Sequence, residues 1–72
     1  MGMTFGDFLR ELRESKGIRK TDLSKKCGFS MPYLYSIEHG LNRPPTMDRL
    51  EKIADVLGLS TSEKTEFFNY AK

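Results

Sequence analysis

Seventy-two residues with a net charge of +2, one cysteine and one histidine allow one small domain and little outside reinforcement. A single cysteine cannot close an internal disulfide, and Cys27 with His39 are too few ligands for a structural metal site. No apolar run approaches the ~20 residues that cross a bilayer, so no membrane partner is expected.

In chain order, Met1-Gly2-Met3-Thr4-Phe5 has neither the basic segment nor the apolar core of a signal peptide. With the lone Cys27 read as a small buried hydrophobe, a reduced, cytoplasmic setting is expected. The spacing then predicts a first helix over about 4–16. Thr4 can cap it, and Asp7 suits its positive end. Phe5, Phe8, Leu9 and Leu12 form one stripe, Gly17 supplies a left-handed stop, and Ile18 folds back. A second helix is expected over 20–27, with Leu23 and Cys27 on one face beside the small Ser24. Its start is poorly signalled, because Arg19 stands where a capping hydroxyl is usual.

Gly28 ends that helix, Phe29 lies in the turn, and Ser30 caps a third helix reaching His39. Pro32 belongs to its first turn, where a missing N–H costs nothing. Leu34 and Ile37 point inward and Gly40 closes the helix. Leu41 to Pro45 form a loop stiffened by Pro44 and Pro45. Thr46 caps a fourth helix with an inner stripe of Met47, Leu50, Ile53, Ala54 and Leu57, ended by Gly58. Leu59 drops into the core. Ser60 and Glu63 make a capping-box pair for a fifth helix. Phe67, Tyr70 and Ala71 share its inner face and Phe68 turns outward. No segment alternates long enough for a strand. The expected fold is all-α, one domain over 1–72 with five compact helices.

Two short helices around a tight glycine turn are the sequence form of a helix-turn-helix, here at about 20–39. Charge is uneven in the same sense. Lys16, Arg19, Lys20, Lys25 and Lys26 face Asp22 alone, whereas the last third of the chain is slightly acidic. A basic end suits a polyanion, although a solvated lysine face reads the same way.

From Ile18 through Pro44 the chain resembles the lambda-repressor/Cro-like, or XRE, helix-turn-helix family. The resemblance is carried by Leu9 and Arg13, Gly17-Ile18, Leu23, Gly28-Phe29-Ser30, Leu34, Ile37-Glu38, Gly40, Pro44 and the Leu50, Ile53-Ala54, Leu57 stripe. It implies a double-stranded DNA-binding transcriptional regulator, a repressor by type, with helix 31–39 in the major groove. By the same resemblance Lys20 touches a phosphate. Ser30, Met31, Pro32, Tyr35 and Ser36 occupy base-reading positions, and Asn42 and Arg43 lie in a phosphate-holding loop. Arg13 and Glu38 are implied as an ion pair that sets the angle of the third helix. Tyr33 and His39 complete the expected DNA-facing set. Tyr33 and Tyr35 remain open to a packing role, and His39 to that of a solvated helix end. Relatives pair through the fifth helix, so a homodimer on DNA is expected, with Phe68 as a candidate contact and half-sites about 34 Å apart.

No cofactor or small-molecule ligand is implied, and no arrangement of nucleophile and base supports an enzyme. A second reading uses the same fold as a protein-interaction module, such as an antitoxin or anti-repressor partner, docking through Met31, Tyr33 and Tyr35. A third makes these residues the N-terminal part of a longer regulator.

Overall fold

The computed structural model describes residues 3–72, so Met1 and Gly2 of the N-terminal expectation lie outside it. Thr4 opens α1 (Phe5–Ser15) with a reciprocal box: its hydroxyl accepts from Asp7 N, and the Asp7 carboxylate accepts from Thr4 N. Lys16 caps the other end. Gly17, at φ 70°, then turns the chain so that Ile18 N bonds Arg13 O at 3.0 Å and Gly17 N bonds Glu14 O. That paired closure is the left-handed stop anticipated from Gly17, and Ile18 packs on the core.

α2 (Lys20–Cys27) and α3 (Met31–Glu38) follow, then α4 (Met47–Leu57) and α5 (Thr61–Tyr70). Among the described residues there is no strand, and no helix is long and apolar enough to cross a membrane. Ser60 and Glu63 close a second capping box at α5. Glu63 also accepts from Lys16 Nζ at 2.9 Å, tying the start of α5 to the end of α1. The Ser60 backbone N–H and then Lys16 hold its carboxyl below the ordinary carboxylate range.

The helices pack in two groups of three that share α3. α1 lies on α3 and α5, while α2 lies on α3 and α4. Leu9, Leu23, Leu34, Ile37, Ile53 and Phe67 are fully buried where they meet. Phe67 sits 5.2 Å from Phe5, ring centre to ring centre, which fixes α5 on α1. Sealing one such side chain from water contributes about 1.5–3 kcal/mol. Cys27 is part of this core, and burial raises its thiol pKa against a small opposing effect from Lys52. It packs as a hydrophobe.

Four local expectations change. Met47 is 58% exposed, because the stripe of α4 outruns its neighbours at the first turn. Thr46 stands at the N-cap position without a side-chain bond. Phe68 does not turn outward: it is half-buried against the core, 5.9 Å from Phe67. Tyr70 is instead the more exposed aromatic, stacked at 4.4 Å on a half-buried Phe8. Phe68 is one residue beyond Phe67, so it falls at the rim of the α1–α5 seam and not opposite it.

Gly6 is a feature that hydrophobic spacing does not flag. It is buried where α1 crosses the end of α3. A Cβ there would collide with the carbonyl oxygen of Glu38 and stand 2.6 Å from that of Ile37. Both obstacles are backbone, so neither can swing aside. Gly6→Ala is therefore expected to destabilise the fold by about 1–3 kcal/mol, the usual cost of overpacking, despite alanine's better helix propensity. Urea unfolding measures it, and a variant as stable as the parent would mean that the two helices do not meet this closely.

Candidate nucleic-acid interface

The turn between α2 and α3 is built from backbone and one hydroxyl. Gly28 adopts φ 73°, which lets Phe29 N reach Ser24 O at 2.8 Å and ends α2. Two residues later Ser30 accepts from Tyr33 N at 3.2 Å and starts α3. Phe29 meets the Tyr33 ring edge-on at 5.3 Å and fills the angle between the helices.

α3 has only eight residues, and its burial is one-sided. At ~3.6 residues per turn, Tyr33, Ile37, Leu34 and Glu38 fall in sequence around one side, and Met31, Tyr35, His39, Pro32 and Ser36 around the other. Leu34, Ile37 and Glu38 are buried and Tyr33 is half-buried. Met31, Pro32, Tyr35 and His39 are exposed and Ser36 is half-exposed.

The pair that anchors this helix comes from α1. Arg13 Nε donates to Glu38 Oε2 at 2.8 Å, and Arg13 Nη2 to Oε1 at 3.3 Å. Arg13 Nη1 donates to Ile18 O at 3.0 Å. Arg13 is 6% exposed and Glu38 1%, so both charges lie out of water and in fork geometry. Among the described residues no buried side-chain polar atom lacks a partner.

On the outward side Tyr35 is the centre. It is 49% exposed, stacks on His39 at 3.9 Å, and has Lys20 Nζ 5.3 Å from its ring centre. The first residue of α2 and the middle and end of α3 thus form one aromatic–cation cluster. Met31 is 39% exposed, with Sδ 3.3 Å from the buried Ser24 hydroxyl. That hydroxyl also lies 2.9 Å from Thr21 O, so its one proton is shared between them. Ser36 spends its proton on Pro32 O at 2.9 Å, leaving lone pairs to accept.

Other expected positions are not in this cluster. Tyr33 leans to the α4 side, where its hydroxyl accepts from Arg49 Nη1 at 2.9 Å. Asn42 lines a shallow hollow of about 300 Å³ with Thr4, Phe5, Gly6, Ile37 and Tyr70. Arg43 is exposed in the loop after α3. The basic stretch is also thinner than its count: Lys16 is paired with Glu63 and Arg19 with Asp22 at 3.2 Å. Lys20, Lys25 and Lys26 have no carboxylate partner among the described residues. Arg49 escaped sequence reasoning. Its one local signal is a cation in the first turn of a helix, where the dipole disfavours it.

Comparisons with known proteins agree with this geometry. The family model described as "Helix-turn-helix" matches residues 9–64. The HTH-type transcriptional regulator SinR of Bacillus subtilis is 36% identical over 55 residues, covering 76% of this chain and 50% of SinR. The chain thus spans about half the length of that relative. An uncharacterized HTH-type transcriptional regulator of Sinorhizobium fredii, y4dJ, is 38% identical over 58 residues, covering 81% of this chain and 74% of y4dJ. A crystal structure of SinR, the master regulator for biofilm formation, in complex with DNA superposes with TM-score 0.71. It is 34% identical and covers 81% of this chain and 95% of that one.

Removing Glu38 alone leaves the Arg13 guanidinium buried and unpaired. Glu38→Ala is expected to cost about 3–5 kcal/mol. The double variant Arg13→Met, Glu38→Leu should lose clearly less than the single one. Chemical unfolding of the three chains checks this, and a Glu38→Ala midpoint within error of the parent would contradict the buried pair.

Proposed function

Because the chain belongs to this helix-turn-helix family, we propose that it is a DNA-binding transcriptional regulator that lays α3 in the major groove of double-stranded DNA. The carrying observation is the outward arc of Met31, Pro32, Tyr35, Ser36 and His39, on a helix whose opposite side is clamped by Arg13–Glu38. A recognition helix must present one face at a fixed tilt while its neighbour crosses the backbone. Lys20 starts α2 beside Tyr35, which supports a reading in which it meets a phosphate while Tyr35 meets base edges. α2 and α4 start without side-chain caps, so their first amides are free for phosphate oxygens as well. Arg43 and Asn42 follow on the loop side, and Ser30, with its oxygen engaged at Tyr33 N, still has a proton to donate.

Direct reading is modest on this surface. Neither Met31 nor Pro32 can make the two-bond contact to adenine that Asn or Gln makes. Met31 suits a thymine methyl, and Tyr35 and His39 supply single hydrogen bonds. Shape and phosphate contacts carry the remaining preference. Repression, a cytoplasmic location and a homodimer on the DNA belong to the same proposal. Repression and the dimer follow the family resemblance and the two-fold operators that such helices favour, and the location follows the single buried Cys27.

A selection from random oligonucleotides at physiological salt tests this reading. Enrichment of two inverted half-sites about 34 Å apart is expected for the dimer. A single half-site would remove the dimer, and no enrichment at all would remove the sequence preference. Tyr35→Ala should change the selected sequence while leaving stability near the parent's, as the side chain is half in solvent. An unchanged motif would take Tyr35 out of the readout.

Lys20→Ala should weaken binding equally on all duplexes and lower the slope of log K against log salt by about 0.9. Binding that ignores salt altogether would favour the protein-docking alternative, since an apolar face responds little to ions.

A further inference from the structure

Arg49 stands in the first turn of α4 and is drawn to a tyrosine instead of a carboxylate. Arg10, Arg13 and Arg19 each make an ion pair, whereas Arg49 makes none among the described residues, although Asp48 and Glu51 are close in sequence. Its guanidinium carbon lies 5.1 Å from the Tyr33 ring centre, and its Nη1 donates to the Tyr33 hydroxyl at 2.9 Å. Phe29 braces the same ring edge-on at 5.3 Å. The phenol is thus held from two sides, and the guanidinium is held by the phenol.

The donor count identifies what this pair can bind. Tyr33 oxygen accepts from Arg49, so its own proton is free to donate. Arg49 has used one of its N–H groups and keeps the others. Together the two side chains offer several donors and one positive charge, open to solvent and with no carboxylate to receive them. An anion with more than one acceptor oxygen satisfies that set, and a phosphate group fits best. Around α3, Tyr33 lies next beyond Ser36, at the margin of the outward arc on the α4 side. A helix in the major groove is flanked there by a sugar–phosphate ridge.

Resting on the DNA-binding reading above, we infer that Tyr33 and Arg49 form a clamp for one phosphodiester of the bound duplex. Tyr33 then fixes the register of α3 on the backbone and does not read bases. Arg49 acts as a second anchor, across α3 from Lys20.

Anisotropy titrations of a mixed-sequence duplex at several chloride concentrations test the clamp. Arg49→Gln should lower the salt slope by about 0.9, with equal loss on duplexes of different sequence. Tyr33→Phe keeps the ring and its packing. It should weaken binding without altering the slope, and should add no further loss in the Arg49→Gln background. Lys64→Gln, which removes the same charge from α5, should leave the slope at the parent value. Inorganic phosphate alone should not move the Tyr33 ring resonances. An Arg49→Gln slope equal to the parent's, or a Tyr33→Phe loss undiminished beside Arg49→Gln, would overturn the clamp while DNA binding stands. A saturable shift with inorganic phosphate would make this a free-phosphate site and overturn the duplex assignment. A parent chain that binds no duplex in dilute buffer would instead overturn the reading on which the clamp rests.

Discussion

The contact between α1 and α3 governs this molecule. Eight residues of α-helix span about 12 Å, too little for α3 to hold itself together in water. Its outward face contributes almost no burial, so its position must be fixed entirely from the inner side. Gly6 lets the two backbones touch, and the Arg13–Glu38 pair locks the end of α3 at that distance. The pair's net contribution to stability is near zero by the usual balance of desolvation against attraction. Its directional content is not: a forked pair of hydrogen bonds tolerates one orientation, where a greasy contact would tolerate several. A recognition helix needs that geometric restriction more than it needs extra stability.

Fixing α3 from below leaves its outer face free of structural duty. Tyr35, His39 and Met31 are exposed there without being needed by the core. The cluster nonetheless has contacts of its own, because Lys20 and His39 both lie against the Tyr35 ring. Ordering before contact reduces the rotamer entropy lost on binding. The same logic separates the two tyrosines. Tyr35 is held only by outward groups, whereas Tyr33 is held by Phe29 of the turn and Arg49 of α4. Neighbours in sequence spacing, they belong to different surfaces.

Local chemistry was legible and tertiary chemistry was not. The caps at Thr4, Ser30 and Ser60 and the stops at Gly17, Gly28, Gly40 and Gly58 act within a few residues, so their spacing is sufficient to find them. The bounds of α2 followed even without a capping side chain, since Gly28 fixes its end. Met47 fails because periodicity tells which way a side chain points, not whether a neighbour covers it, and Phe68 because it stands at the edge of its helix's stripe, where spacing does not settle the side. Gly6 carries no local mark because its reason lies in a carbonyl on α3. The union of Arg13 with Glu38, 25 residues apart, was implied by family resemblance alone, and Tyr33 with Arg49, 16 apart, was not anticipated. The free cations were equally hidden, since Lys16 finds its partner 47 residues away in Glu63.

That last pairing bears on how a chain of net charge +2 could face a polyanion. Affinity for a phosphate backbone depends on cations that release counterions at the contact, not on net charge. Here Arg13 is buried against Glu38, and Arg10, Lys16 and Arg19 each have a carboxylate beside them, all of them at or before the start of α2. Eight cations are left without carboxylate partners among the described residues: Lys20, Lys25, Lys26, Arg43 and Arg49 lie in the segment from α2 to the first turn of α4 that surrounds α3, and Lys52, Lys64 and Lys72 lie beyond it. Most of the unpaired cations thus lie in the neighbourhood of α3. A uniformly basic chain of this size would meet a polyanion in many orientations; one with most of its unpaired cations bordering a single short helix favours the orientation that turns that helix toward it.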